Sequence, residues 1–337
     1  MRTHIMLPWT AHPYTIAAVF PLICPNCRSP LQADTPERLR CPEESFLFDR
    51  VHGIWRMFTL EQQTTYARFI REYTEIRRRE GRGSPDLAYY RALPFRDLTG
   101  RHRRDWKIRA RSFVTFCKRV LTPLERRVQR PLRIFDLGAG NGWLAYRLAC
   151  RGHFVAAVDI QTDDWDGLGA HRHYDVPFLS VQADFLRLPF APATADLAIY
   201  NASFHYATDY GTALTEAFRV LRRDGCVVIM DTPLYRSRAS GLAMVRERED
   251  RFRRLYGFPS NALSCENFLT ADRLHALAEQ LGIRWQCIFP FYGIRWALRP
   301  WKARILGHRE PARFAIFVGR RAHTPPRPHI HHGAPAG

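Results

Sequence analysis

The chain has 337 residues, 46% of them hydrophobic and 25% charged, with a formal net charge of +19. That length holds one α/β domain of ordinary size plus an accessory piece. No apolar run reaches the ~20 residues that a bilayer span needs, and no cleavable leader pattern is present, so a cytoplasmic location is expected. Only Lys107, Lys118 and Lys302 are lysines, and arginines gather at 77–82, 101–111 and 246–254. Such a bias suits either solvated faces in an arginine-rich composition or a polyanion partner such as RNA. Of the eight cysteines, five sit singly in apolar patterns as small hydrophobes, and a disulfide framework is not indicated.

Residues 1–19 carry no regular pattern and read as a loose extension. Residues 20–58 read as a small β ribbon: Cys24-Pro-Asn-Cys27, a gap, then Cys41-Pro, with 53–58 (Gly-Ile-Trp-Arg-Met-Phe) closing the module. The stretch resembles the zinc-ribbon segment that precedes some methyltransferases. The resemblance implies Zn2+ on Cys24, Cys27 and Cys41. A second C-x-x-C would need cysteine at 44, where this chain has Glu44, so the fourth ligand stays open between Glu44 and His52. A metal-free ribbon held by Phe46, Phe48, Ile54 and Trp55 is the other reading.

Residues 59–128 read as a helical cap. Tyr66, Phe69, Ile70, Tyr73 and Ile76 give the stretch 60–79 one apolar face, 81–85 breaks it, and Trp106, Ala110, Phe113, Cys117 and Val120 form a stripe over 103–121. These helices are expected either to cap the mouth of a ligand site, with Tyr89, Tyr90 and 93–95 in the same lid, or only to pack as a collar.

Next comes a βαβ pattern. An apolar run at 132–137 is broken by Asp136, then Gly138, Gly140 and Gly142 alternate. A helix starting at Trp143 ends at Gly152, and a second apolar run ends on Asp159. An acid about 20 residues beyond a glycine turn can take both hydroxyls of a ribose. A dinucleotide site wants a third glycine at position 143, and Trp143 is too large for it. Asp136 would repel a pyrophosphate and suits an ammonium group.

This D-x-G-x-G-x-G stretch resembles motif I of the class I S-adenosylmethionine-dependent methyltransferases. The resemblance implies an α/β, seven-stranded Rossmann-like sheet over 129–319. It also implies S-adenosyl-L-methionine held by Asp136, Gly138, Ala139, Gly140, Asn141 and Gly142, with Asp159 and Ile160 at the ribose. Strand three, 178–183, ends in Asp184 and Phe185, which match the family's adenine acid and stacking side chain. Strand four, 196–202, brings Asn201 to the cleft. The loop 161–175 holds Asp163, Asp164, Asp166, His171 and His173, and its acids read as turn formers rather than metal ligands.

If the acceptor must lose a proton, His205 is the candidate base, the alternative being that it only packs or caps; Tyr206 is a candidate for orienting the acceptor. Strand five is read at 226–231, the insertion 232–268 is expected to shape the acceptor pocket, and the link 292–307 to overhang it. A helix at 271–282 and strands at 283–289 and 312–318 finish the domain, and 320–337 reads as a disordered tail. Three functions fit: methyl transfer by SN2 attack on a small-molecule or lipid-like acceptor; an RNA methyltransferase using the ribbon and arginine-rich helices; or a non-catalytic module that binds cofactor or a partner. The sequence sets neither the acceptor nor the oligomeric state.

Overall fold

The computed structural model describes residues 18–322. Most of the expected N-terminal extension and of the C-terminal tail therefore lies outside the described residues. Eleven strands form one sheet in the order β1-β2-β3-β4-β7-β6-β5-β8-β9-β13-β12. The ribbon supplies β1 (Gln32–Thr35), β2 (Arg38–Arg40), β3 (Leu47–Val51) and β4 (Ile54–Arg56). The remaining seven are β5 (Arg133–Leu137), β6 (Phe154–Asp159), β7 (Leu179–Gln182), β8 (Ala195–Asn201), β9 (Leu221–Met230), β12 (Ile283–Ile288) and β13 (Ile316–Arg321). Two short strands apart from the sheet, β10 (Leu234–Tyr235) and β11 (Leu269–Thr270), pair in parallel and close the ends of the insertion.

The seven-stranded expectation holds for the α/β part, with β5, β6, β7, β8 and β9 parallel and β13 returning antiparallel between β9 and β12. The sheet as a whole is wider than expected because the ribbon is an extension of it. β4 pairs in parallel with β7, Ile54 opposite Ser180 and Arg56 opposite Gln182. Without β4, β7 would be an edge with unpaired amides and carbonyls, the kind of edge that templates aggregation. Between Ala195 and Leu197 the β8–β9 register shifts from Leu221 to Cys226, so β9 starts before the strand expected at 226 and carries an irregularity over 222–225.

The helices are α1 (Leu60–Arg79), α2 (Leu87–Ala92), α3 (Arg103–Phe116), α4 (Thr122–Val128), α5 (Trp143–Ala149), α6 (Tyr210–Val220), α7 (Arg238–Tyr256) and α8 (Ala271–Leu281). α1 begins on a capping box in which Thr59 and Gln62 satisfy each other's backbone amides. The helix read at 103–121 changes at Cys117 to a π turn that runs to Leu121. β13 extends through Arg321, past the point where the tail was expected to begin. The link after β12 folds into two short helices whose large apolar side chains, Ile294, Leu298, Trp301 and Ile305, are exposed.

The α/β sheet divides two cores, and Trp143 joins one of them to the cap. Its indole is buried and meets Trp106 edge-on at 6.0 Å and Phe113 at 5.7 Å, both from α3. The side chain that disqualified a dinucleotide loop is therefore the anchor for the collar. Truncating it to Ala is expected to cost about 3–5 kcal/mol of unfolding free energy, the usual range for a buried large aromatic. Urea denaturation checks this, and a loss below about 1 kcal/mol would show that the cap does not depend on Trp143.

Candidate functional site

The site forms where β5, β6 and β8 end. Gly138 has φ of 75°, and a Cβ there would collide with the Cβ of Ser203 after β8, so only glycine lets the two loops touch. The Gly140 amide donates to Asp159 Oδ2 at 2.7 Å, and the Gln161 amide donates to Oδ1, also at 2.7 Å. Burial still pushes the Asp159 carboxyl up to about 6, against these two bonds. Asp136 is fully buried at the end of β5. Its Oδ2 accepts from the Ala145 amide at 3.1 Å, while Oδ1 has no partner among the described residues. Burial raises it to about 8. An orphaned carboxylate oxygen beneath a glycine loop is the feature an ammonium group would complete.

The cleft above is lined by Gly138, Gly140, Asp159, Ile160, Asp184 and Phe185 among the expected residues. Ala139, Asn141 and Gly142 shape the loop from below. Asn141 is buried, accepts the Trp143 amide on Oδ1 and donates Nδ2 to Asp166. Asn201 is buried with Oδ1 unpartnered among the described residues and lies off the wall, to which the turn after β8 contributes Ala202 and Ser203 instead. Burial raises Asp184 despite a 2.6 Å bond from the Tyr66 hydroxyl.

α1 forms the roof. Tyr66, Phe69 and Tyr73 all face the cleft, as the apolar stripe suggested, and Gln161 ties the helix down by accepting from Thr74 Oγ1 and donating to the Ile70 carbonyl. Tyr89 and Tyr90 do not join this roof. Both are buried in the second core, where Tyr90 donates to the Trp165 carbonyl at 2.8 Å and stacks on His173. They brace the loop after β6, whose Asp163 caps its own turn by accepting from the Trp165 and Asp166 amides.

Tyr206 stands at the junction between this cleft and a second one that reaches α7. His205 lies behind it, buried, with Nδ1 unpartnered among the described residues and its ring outside the residues that line either cleft. Burial first, then Arg248 and Arg109, push His205 down to about 3, so it is neutral across the physiological range. The insertion 232–268, expected to shape a pocket, does line this second cleft, with Arg248 and Phe252 turned inward from α7.

In the ribbon, the ligand atoms of Cys24, Cys27, Cys41 and Glu44 all lie within 4.8 Å of one another. Cys27 Sγ is 3.4 Å from Cys41 Sγ, and Cys24 Sγ is 3.2 Å from Glu44 Oε2. Bonds of ~2.3 Å to a tetrahedral zinc put sulfurs ~3.7 Å apart, so the cluster fits such an ion. His52 is exposed and outside the cluster. It is the only such cluster among the described residues, so the acids and histidines of the loop after β6 gather no metal set.

The strand order, the glycine loop and the three acids in sequence resemble those of the class I S-adenosylmethionine-dependent methyltransferases. Residues 135–229 match the family model described as Methyltransferase domain. A malonyl-[acyl-carrier protein] O-methyltransferase of Geobacter sulfurreducens is 34% identical over 114 residues, which are 32% of this chain and 41% of that protein. A demethylmenaquinone methyltransferase of Mycobacterium sp. (strain KMS) is 33% identical over 110 residues, 32% of this chain and 46% of its own length. A mitochondrial arginine-hydroxylase of Mus musculus is 31% identical over 121 residues, 35% of this chain and 34% of its own. The chain thus spans less than half the length of each of these relatives. No helix among the described residues is long and apolar enough to cross a membrane.

The raised Asp136 carboxyl has a pH signature. Its folded value of about 8 lies above the ordinary 3.8. Its protonated form therefore contributes stability in full below about pH 4, and that contribution is lost as pH rises through about 8. In Asp136→Asn the dependence disappears, so the variant's melting temperature without ligand is expected to rise relative to the wild type between pH 5 and 9. Parallel curves would show that Asp136 is ionised in the empty site.

Proposed function

We propose that the chain transfers a methyl group from S-adenosylmethionine to a small molecule held in the second cleft. The observation that carries this reading is the continuity of the two clefts, which share Phe69, Tyr73, Tyr206 and Leu263. A donor bound in the first would face an acceptor in the second across Tyr206, in an enclosed aromatic setting that excludes water. The cofactor supplies an electrophilic methyl group on a sulfonium. The protein's part is to hold and align. Asp136 would meet the ammonium end, Asp159 would accept the ribose hydroxyls on the lone pairs its two amide bonds leave free, and Asp184 with Phe185 would hold the adenine. Tyr206 positions the acceptor. A neutral His205 depressed to about 3 is a weak base, so acceptors that are already deprotonated suit the site best.

One of the three arginine clusters argues against RNA. The one at 77–82 is tied up internally: Arg77 with Asp166, Arg78 and Arg79 with Glu75, and Arg82 with Glu80 and Asp105. Arg253 is paired with Glu249 and Asp250. Asp184→Asn is expected to weaken binding of S-adenosylhomocysteine about tenfold or more in calorimetry, equal to ~1.4 kcal/mol or above. Unchanged affinity would remove Asp184 from the adenine site.

The ribbon cluster is proposed to hold zinc on Cys24, Cys27, Cys41 and Glu44. Its role is structural, since all four positions are filled by protein and none is left for substrate. Atomic emission on purified protein is expected to find about one zinc per chain, lost in Cys41→Ser and kept in Glu44→Cys. Zinc-free wild type with an unaltered melting curve would show that the ribbon stands on packing alone.

A further inference from the structure

The second cleft carries a charge imbalance that says what kind of acceptor it takes. Its charged lining is Arg77, Arg82, Arg248 and the single acid Glu80. Arg77 is matched by Asp166. Arg82 donates Nε to Glu80 at 3.2 Å and Nη2 to Asp105 at 3.0 Å, which leaves Nη1 buried and unpartnered. Arg248 has no carboxylate within ion-pair distance among the described residues. Its Nη1 donates to Asn267 Oδ1 at 2.7 Å, and its Nε is buried without a partner. Behind the cleft Arg109 stacks over Trp106 at 4.8 Å, also without an ion pair among the described residues. Burial, then Arg82 and Arg77, pull its protonation downward, and Arg248 with Arg109 adds to the depression of His205.

A guanidinium stays charged at any physiological pH. A buried, unpaired N–H on such a group costs more free energy than a neutral one, and a buried charge without a partner is strongly unfavourable. Two orphaned guanidinium donors on one cavity wall are therefore complementary to an anion that arrives from outside. The rest of the lining is apolar, with Phe69, Tyr73, Phe252 and Leu263. An ammonium acceptor would be repelled, and an uncharged one would leave both donors unmet.

We propose that the acceptor bears an oxyanion, a carboxylate or a phosphate, on an apolar body, and that Arg248 with Arg82 binds this group in the cleft beyond Tyr206. This rests on the methyltransferase reading for the identity of the cleft as an acceptor site. The orphaned donors are independent of it. Anion recognition by arginine is directional, through parallel N–H donors, so the charge also fixes which end of the acceptor faces Tyr206 and the donor.

The test titrates benzoate, phenyl phosphate and uncharged benzamide into the full chain saturated with S-adenosylhomocysteine, by calorimetry. Benzoate or phenyl phosphate is expected to bind about tenfold or more tightly than benzamide, and whichever binds better identifies the oxyanion. The preference is expected to vanish in Arg248→Gln, which retains its S-adenosylhomocysteine affinity. Should that variant not fold, Phe252→Glu decides: a carboxylate beside Arg248 is expected to abolish the preference. Equal binding of the three probes to the wild type, or an anion preference that survives the substitution, overturns the proposal. If S-adenosylhomocysteine itself does not bind the wild type, the methyltransferase reading falls, and the same titration on the unliganded chain still decides whether the cleft is an anion site.

Discussion

The Asp159 carboxylate is the joint on which the site is built. One oxygen receives the Gly140 amide and the other the Gln161 amide, so a single side chain fixes the glycine loop and the start of the loop after β6. Gln161 then passes the constraint on, holding α1 through Thr74 and the Ile70 carbonyl. From one acid at the end of a strand, the floor, the wall and the roof of the cleft acquire their spacing. Hydrogen bonds to an ionisable acceptor are the stronger kind, and here they are shielded from water by the aromatic roof.

The acids around the cleft follow the same economy. The groups suited to the nucleoside already have internal partners: Asp159 its two amides, and Asp184 the Tyr66 hydroxyl and the Leu186 amide. Among the described residues Asp136 keeps an unmet oxygen, as does Asn201 at the end of β8.

Beyond the cleft, the ribbon and the cap extend the same body rather than standing as separate modules. β4 covers the edge of β7, and Trp143 carries α3. Ribbon contacts run directly into the α/β core, where Phe20 packs against Phe135 at 5.1 Å and Phe190 at 6.3 Å. Part of the positive charge is spent on intramolecular pairing around α1, where Arg77, Arg78, Arg79 and Arg82 all have carboxylate partners.

The order of elements from β5 to β13, the glycine loop and its acids were legible in the sequence. They depend on period, turn chemistry and short spacing, which neighbours in the chain determine. The apolar face of α1 was legible for the same reason. What the chain order could not show is which distant groups meet. Glu44 completes the cysteine cluster, and not His52, because the turn after Cys41 brings it back toward Cys24. Tyr89 and Tyr90 are bracing and not lid, because α2 lies against the loop after β6. His205 sits behind Tyr206, one residue apart in sequence and on different sides of a wall. The inward turn of Arg248 is visible only once α7 packs over Asn267. Local pattern fixes the backbone path, whereas a site is an encounter between segments, and only the packed fold sets its distances and its dielectric.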